Sequence, residues 1–144
     1  MIANTTVLEE QRRLWDGVRL LWTEIHTALM SGMGHPGSFV IFAVDAAHNL
    51  PFVHACSVLN NILEALRDEG HLSYQGRELG GLVRASQKAL PWRNYPLIKN
   101  EVVQRRNDLA HRAAIVPCDD CGRYIDAIEA ELIVWGIVLP ASPP

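Results

Sequence analysis

LIKNEVVQRRNDLAHRAAIV, residues 97–116, forms an apolar stripe only if it is helical. Wound at roughly 100° per residue with Val102 at zero, it places Ile98, Leu109, Ala113 and Val116 within about 40° of that residue. Its apolar residues do not alternate by twos, as a half-buried strand would require. Arg106 falls in the same arc. A guanidinium in the middle of an apolar face is costly to bury alone, so it needs a carboxylate, a phosphate or a groove open to water. Asn107 and His111 lie on the next face, four residues apart and therefore neighbours.

The flanking sequence repeats the helical spacing. Val7, Gln11, Leu14, Val18, Leu21, Trp22, Ile25 and Leu29 form one stripe, which predicts a first helix from Thr5 or Thr6 to Met30 and is broken only by Gln11. Residues 32–37 read as a loop, with Ser38 as the N-cap of a second helix. Pro51 is expected to bend or interrupt that helix, which resumes through Phe52, Cys56, Leu59, Leu63 and Leu66 and stops at Gly70. Residues 71–75 read as a turn. Leu79, Leu82, Val83, Ser86 and Leu90 predict a shorter third helix ended by Pro91. The fourth runs from near Pro96 to Val116. Pro117 stops it, and Asp119 or Asp120 is expected to cap a last helix burying Ile125, Ile128, Leu132, Trp135 and Leu139. The expected fold is all-α: an antiparallel four-helix bundle with one additional short helix, occupying residues 1–144 as a single domain with a frayed tail from about 140 to 144.

Composition bounds the function. The chain has 144 residues, 49% of them apolar and 20% charged, with a formal net charge of −3. That is enough chain for a core without a disulfide framework. The three cysteines, Cys56, Cys118 and Cys121, do not suggest one. No signal peptide and no membrane-spanning run is read, so a cytoplasmic protein is expected. A negative chain does not coat nucleic acid along its whole surface, so any such contact must come from a local patch.

Arginine, amide and imidazole along one helix edge suit phosphodiester cleavage. A guanidinium grips phosphate and neutralises developing charge. An imidazole takes a proton from a ribose 2′-hydroxyl or gives one to the leaving oxygen. One histidine does not serve both sides of the phosphorus at once, but two copies facing each other across a twofold axis would.

Arg106-Asn107-Asp108-Leu109-Ala110-His111 resembles the R-x4-6-H motif of HEPN domains, including the polar residue that often follows the arginine. The placement is similar too: a small helical bundle with the motif on a late helix and one helix after it. The resemblance implies a metal-independent endoribonuclease that works as a homodimer, with a composite cleft and products ending in a 2′,3′-cyclic phosphate and a 5′-hydroxyl. It implies that Arg106 and His111 are catalytic and that Asn107 supports them; Arg105, at spacing x5, fits the motif less well, and Arg105 and Arg112 are read as flanking charges for substrate. It implies RNA as partner, a toxin–antitoxin or phage-defence setting with an antitoxin or regulatory protein, and no cofactor or metal. Many HEPN toxins carry tyrosine two residues past the histidine; this chain has Ala113. The family also contains inactive members that only bind partners, which is the alternative reading.

Other residues invite weaker readings. Cys118-Asp119-Asp120-Cys121 has the spacing of half a zinc site but no second cysteine pair, and a helix start explains it better. His48 and His54 read as polar residues at a helix bend rather than metal ligands. His26 and His35 read as surface or loop residues. Glu64 is one of several acids able to pair with a motif arginine. The four tryptophans are too scattered to form a base-stacking platform.

Overall fold

The computed structural model describes residues 1–30 and 38–140, with side chains from residue 43 in the second segment. Among the described residues the structure is helical and contains no strand. The elements are α1 (Thr5–Met30), α2 (Ser38–Asp68), α3 (Leu79–Ala85), α4 (Tyr95–Leu97), a π-helical turn (Ile98–Val102), α5 (Val103–Arg112) and α6 (Cys118–Val134). The loop expected at 32–37, any capping by the Ser38 side chain, and most of the expected frayed tail lie outside the described residues.

Cross-chain bonds give the helix directions. Glu69, just after α2, accepts the backbone N–H groups of Ala3 and Asn4, while His26 meets His48, so α1 and α2 are antiparallel. Arg12 bonds the carbonyl of Ile137 and Trp15 bonds Glu129, so α1 and α6 are antiparallel as well. Asn49 reaches Cys121 and Phe52 packs on Tyr124, so α2 and α6 run the same way. Arg105 reaches Asp120 and Glu101 reaches Arg123, which sets α5 against α6. Alternation of this kind is what short connections between successive helices produce.

One continuous core joins these elements. Trp15 and Val18 from α1, Phe52, Leu59, Ile62 and Leu66 from α2, Leu82 from α3, Ile98 and Val102 from the π turn, and Ile125, Ile128 and Leu132 from α6 are all buried. Gln11, the break in the first stripe, is buried too. Gly70, with φ of +87°, follows the last turn of α2, as its freedom at positive φ allows.

Several boundaries differ from the expected ones. Pro51 does not interrupt α2, which runs as one helix through it. α3 ends at Ala85 because Ser86, fully buried, gathers the chain into turns. Its backbone carbonyl accepts from Leu90 N–H, and its hydroxyl and carbonyl both accept from the Trp92 indole. The motif helix ends at Arg112, four residues short of Val116. Ala113 adopts the left-handed conformation at φ +52°, and Ala114 N–H returns to the carbonyl of Asp108. Asp119 and Asp120 lie inside the first turn of α6 and do not cap it. That task falls to Asp45 of α2, whose Oδ1 accepts the Cys118 N–H at 2.7 Å. Leu139, expected in the core, is exposed.

Candidate functional site

Arg106 reaches the core side of α5, as its phase requires, yet it is only half-buried. It lines an open cavity of about 410 Å³ together with Cys56, Ser57, Asn60 and Asn61 of α2 and Arg77, Glu78 and Leu79 at the entry to α3. The anomaly in the apolar stripe is thus resolved by a polar cavity rather than by a carboxylate. Among the described residues Arg106 has no ion-pair partner. Its Nη1 donates to Asn107 Oδ1 at 3.5 Å, a long bond. Glu78 is engaged elsewhere, accepting from the Tyr74 hydroxyl at 2.7 Å, which holds its carboxyl below the usual range. Glu64 is not the partner of Arg106 either; it accepts from Asn60 at 3.4 Å and faces a second cavity with Asn4, Gln11 and Asp68. Cys56 lies beneath Arg106. Burial pushes its thiol up to about 12, against an opposing pull from the guanidinium, so it is an inert packing group and not a nucleophile.

His111 sits on the last turn of α5 and is exposed. It does not line the cavity that holds Arg106. The two side chains point roughly 140° apart around the helix, so one chain does not bring them together in a closed pocket. Asn107 is half-buried between them, bonded to Arg106 and not, among the described residues, to His111. Arg105 turns toward α6, with Nη2 3.5 Å from Asp120 Oδ2. Arg112 is exposed at the end of α5, where a cation complements the helix dipole.

Other polar groups carry structural work that the sequence did not reveal. Glu131, buried on α6, accepts the backbone N–H groups of Arg93 at 2.7 Å and Asn94 at 2.6 Å, which fixes the entry to α4. Asn49 donates to the carbonyls of Asp45 and Val116 and accepts the Val116 N–H at 2.9 Å. These acids and amides sit on apolar stripes where a single sequence offers no partner for them. A buried polar residue on such a stripe is the available signal, because burial demands a bonding partner somewhere.

The two cysteines of the Cys118–Cys121 pair have different surroundings. Cys121 is buried, 3.7 Å from the Val116 carbonyl and from Asn49 Nδ2, and burial first of all pushes its thiol up to about 12. Cys118 is half-exposed; burial, then Asp119 and Asp45, push its thiol up as well. His54 does not join His48. It lines a shallow apolar groove with Leu20, Leu21 and Leu50. His26, expected at the surface, instead packs against His48 and Trp22. No helix among the described residues is long and apolar enough to cross a membrane. Comparison of the chain with protein-family models, with curated proteins and with solved structures found no match in any of the three.

Proposed function

We propose that the chain is a HEPN-like, metal-independent endoribonuclease that acts as a homodimer. The carrying observation is Arg106: a guanidinium at the rim of an open polar cavity, without an ion-pair partner among the described residues, on the same helix as an exposed His111. A cation left free in such a place suits an anion from outside, and RNA phosphate is the anion the motif implies. An all-helical chain that carries the motif on a late helix, with one helix after it, is also what the family resemblance implies.

In this reading Arg106 holds the scissile phosphate and Asn107 steadies its head group. His111 accepts the ribose 2′-hydroxyl proton while O2′ attacks phosphorus. The bond to the 5′-oxygen breaks, and the His111 of a second copy gives that oxygen a proton. The products are a 2′,3′-cyclic phosphate and a 5′-hydroxyl. A second copy is needed because one histidine does not serve both the attacking and the leaving oxygen at once. A toxin or phage-defence role, with an antitoxin or regulatory protein as further partner, follows from the resemblance alone.

The surface supports a dimer seam. Leu50, Val53, Ser57 and Asn61 are all exposed and follow one another along one side of α2. The first two are apolar, and the last two line the Arg106 cavity. A twofold contact on the apolar part would place two such cavities near each other. The net charge of −3 favours a second reading, an inactive HEPN-like module that binds a protein.

The test is cleavage of single-stranded and stem-loop RNA in the presence of EDTA, with product ends identified. Wild type should cut, and Arg106→Ala and His111→Ala should each lose at least about 100-fold in rate. Equal cleavage by all three proteins identifies a contaminating nuclease. No cleavage of any RNA by folded wild type leaves the binding module.

A further inference from the structure

A group of metal-ligating side chains lies away from the motif helix. His26 of α1, His48 of α2 and Cys118 at the start of α6 bring one ligand atom each within 4.8 Å of one another. Among the described residues they are the one group of three or more potential ligands this close together. His26 Nδ1 is 3.1 Å from His48 Nε2. We propose that His26, His48 and Cys118 bind a divalent transition metal of the zinc class, with one coordination position left to water.

The orientation of His48 is the strongest argument. Its ring is fully buried, and its Nδ1 lies 2.7 Å from the Val44 carbonyl. A carbonyl only accepts, so Nδ1 carries the proton and Nε2 presents its lone pair toward His26 and Cys118. A backbone carbonyl fixing the outer nitrogen is how histidine ligands are commonly held. Trp22 supplies an apolar wall, its ring 5.8 Å from His26 in a stacked arrangement and 4.6 Å from His48 edge-on. Cys118 is placed by the bond from its own N–H to Asp45.

The spacing and chemistry fit the metal. Around tetrahedral zinc, with bonds of about 2.0 Å to nitrogen and 2.3 Å to sulfur, ligand atoms stand roughly 3.3 to 3.8 Å apart. The three atoms, all within 4.8 Å of one another, stand near that spacing. Two imidazoles and a thiolate are borderline-soft donors, which suits zinc, cobalt, nickel or copper and not magnesium or calcium. Asp45 and Asp119 add negative potential around the thiol, which favours a cation there. Binding breaks the Cys118 S–H bond and releases that proton to solvent. It also moves the His26 proton to Nε2, so that both imidazoles bind as neutral ligands. Cys121, tied to Val116 and Asn49, is not part of the set.

The site joins α1, α2 and α6 and shares no residue with the RNA-cleaving motif proposed above, so its test is separate from that one. Reduced, EDTA-stripped protein is titrated with cobalt(II). Wild type should take up one equivalent, with thiolate charge-transfer absorption and the visible bands of a tetrahedral site, and zinc should displace it. Cys118→Ser should lose the charge-transfer band, and the half-exposed His26→Gln should bind at least about tenfold more weakly. Circular dichroism before titration confirms that each variant is folded. Folded wild type that takes up no cobalt overturns the proposal. So does a charge-transfer band that survives in Cys118→Ser, which would assign the metal to another cysteine.

Discussion

Ala113 is the one residue other than glycine with positive φ among the described residues. It ends the motif helix one residue after Arg112, and nothing in its side chain rewards the left-handed conformation. Glycine adopts that conformation without the Cβ penalty. Ala113→Gly is therefore expected to stabilise the chain by about 1 kcal/mol, read as a higher urea midpoint at unchanged slope. An unchanged or lower midpoint would show that the turn carries no such strain. The early stop could not be read from the sequence. Ala113, Ala114, Ile115 and Val116 continue the apolar phase, and alanine is a good helix former. A remote partner accompanies the stop: Asn49 takes both the N–H and the carbonyl of Val116, so that N–H is not left to bond within a continuing helix.

At the scale of elements, the helices themselves were legible because stripes at steps of three and four are a direct record of burial. The π-helical turn was not. It widens the helix just before the motif, so that adjacent residues Val102 and Val103 are both buried, where ideal phasing buries only the first. That widening sets Glu101 against α6. Glu101 Oε1 accepts from Arg123 at 3.0 Å and from the Tyr124 hydroxyl at 3.1 Å. The Arg123 bond, then the Tyr124 bond, hold the Glu101 carboxyl below its usual range. A lowered carboxyl contributes stability that is present above its unfolded value and lost as pH falls through its folded one. Stability should therefore drop with acidification below the usual carboxylate range, and Glu101→Gln should flatten that part of the curve. Urea midpoints measured across acidic pH check this; a Glu101→Gln profile parallel to wild type contradicts it. The reach of Arg106 was legible from phase alone, but its cavity was not, because α2 and the entry to α3 supply the other walls.

Across the whole molecule, three of the exposed apolar residues belong to α1 and the adjoining part of α2. Leu20 is 62% exposed, Leu50 59% and Val53 38%, and Leu20 and Leu50 share the shallow groove with His54. A second copy covering that groove would remove them from water. The double substitution Leu50→Asp with Val53→Asp should then give a folded monomer by sedimentation and abolish RNA cleavage, because the proposed site needs two chains. Full cleavage by a folded monomer would rule out the composite site. Neither side chain packs in the core, so the helix content should be unchanged. The overall direction of the helices was legible from connection length. The near contact of His26, His48 and Cys118 was not, since it joins positions from three helices that no local spacing relates.

The polar ties between α2 and the start of α6 also bear on how the chain folds. Asn49 and Val116 are 67 positions apart, and Asp45 and Cys118 are 73. A loop of that length must close before either tie exists, whereas α1 and α2 are consecutive and meet early. The docking of α6 on α2 is therefore expected to come late, after the transition state. Asn49→Ala, which strands both backbone groups of Val116, should cost about 2 kcal/mol or more at equilibrium. Nearly all of that loss should appear as faster unfolding with little change in the refolding rate. Stopped-flow rates that slow on the refolding limb instead would place this tie in the folding nucleus. The amide that holds the two helices together would then act as a brake on opening, setting how long the native chain persists rather than how quickly it forms.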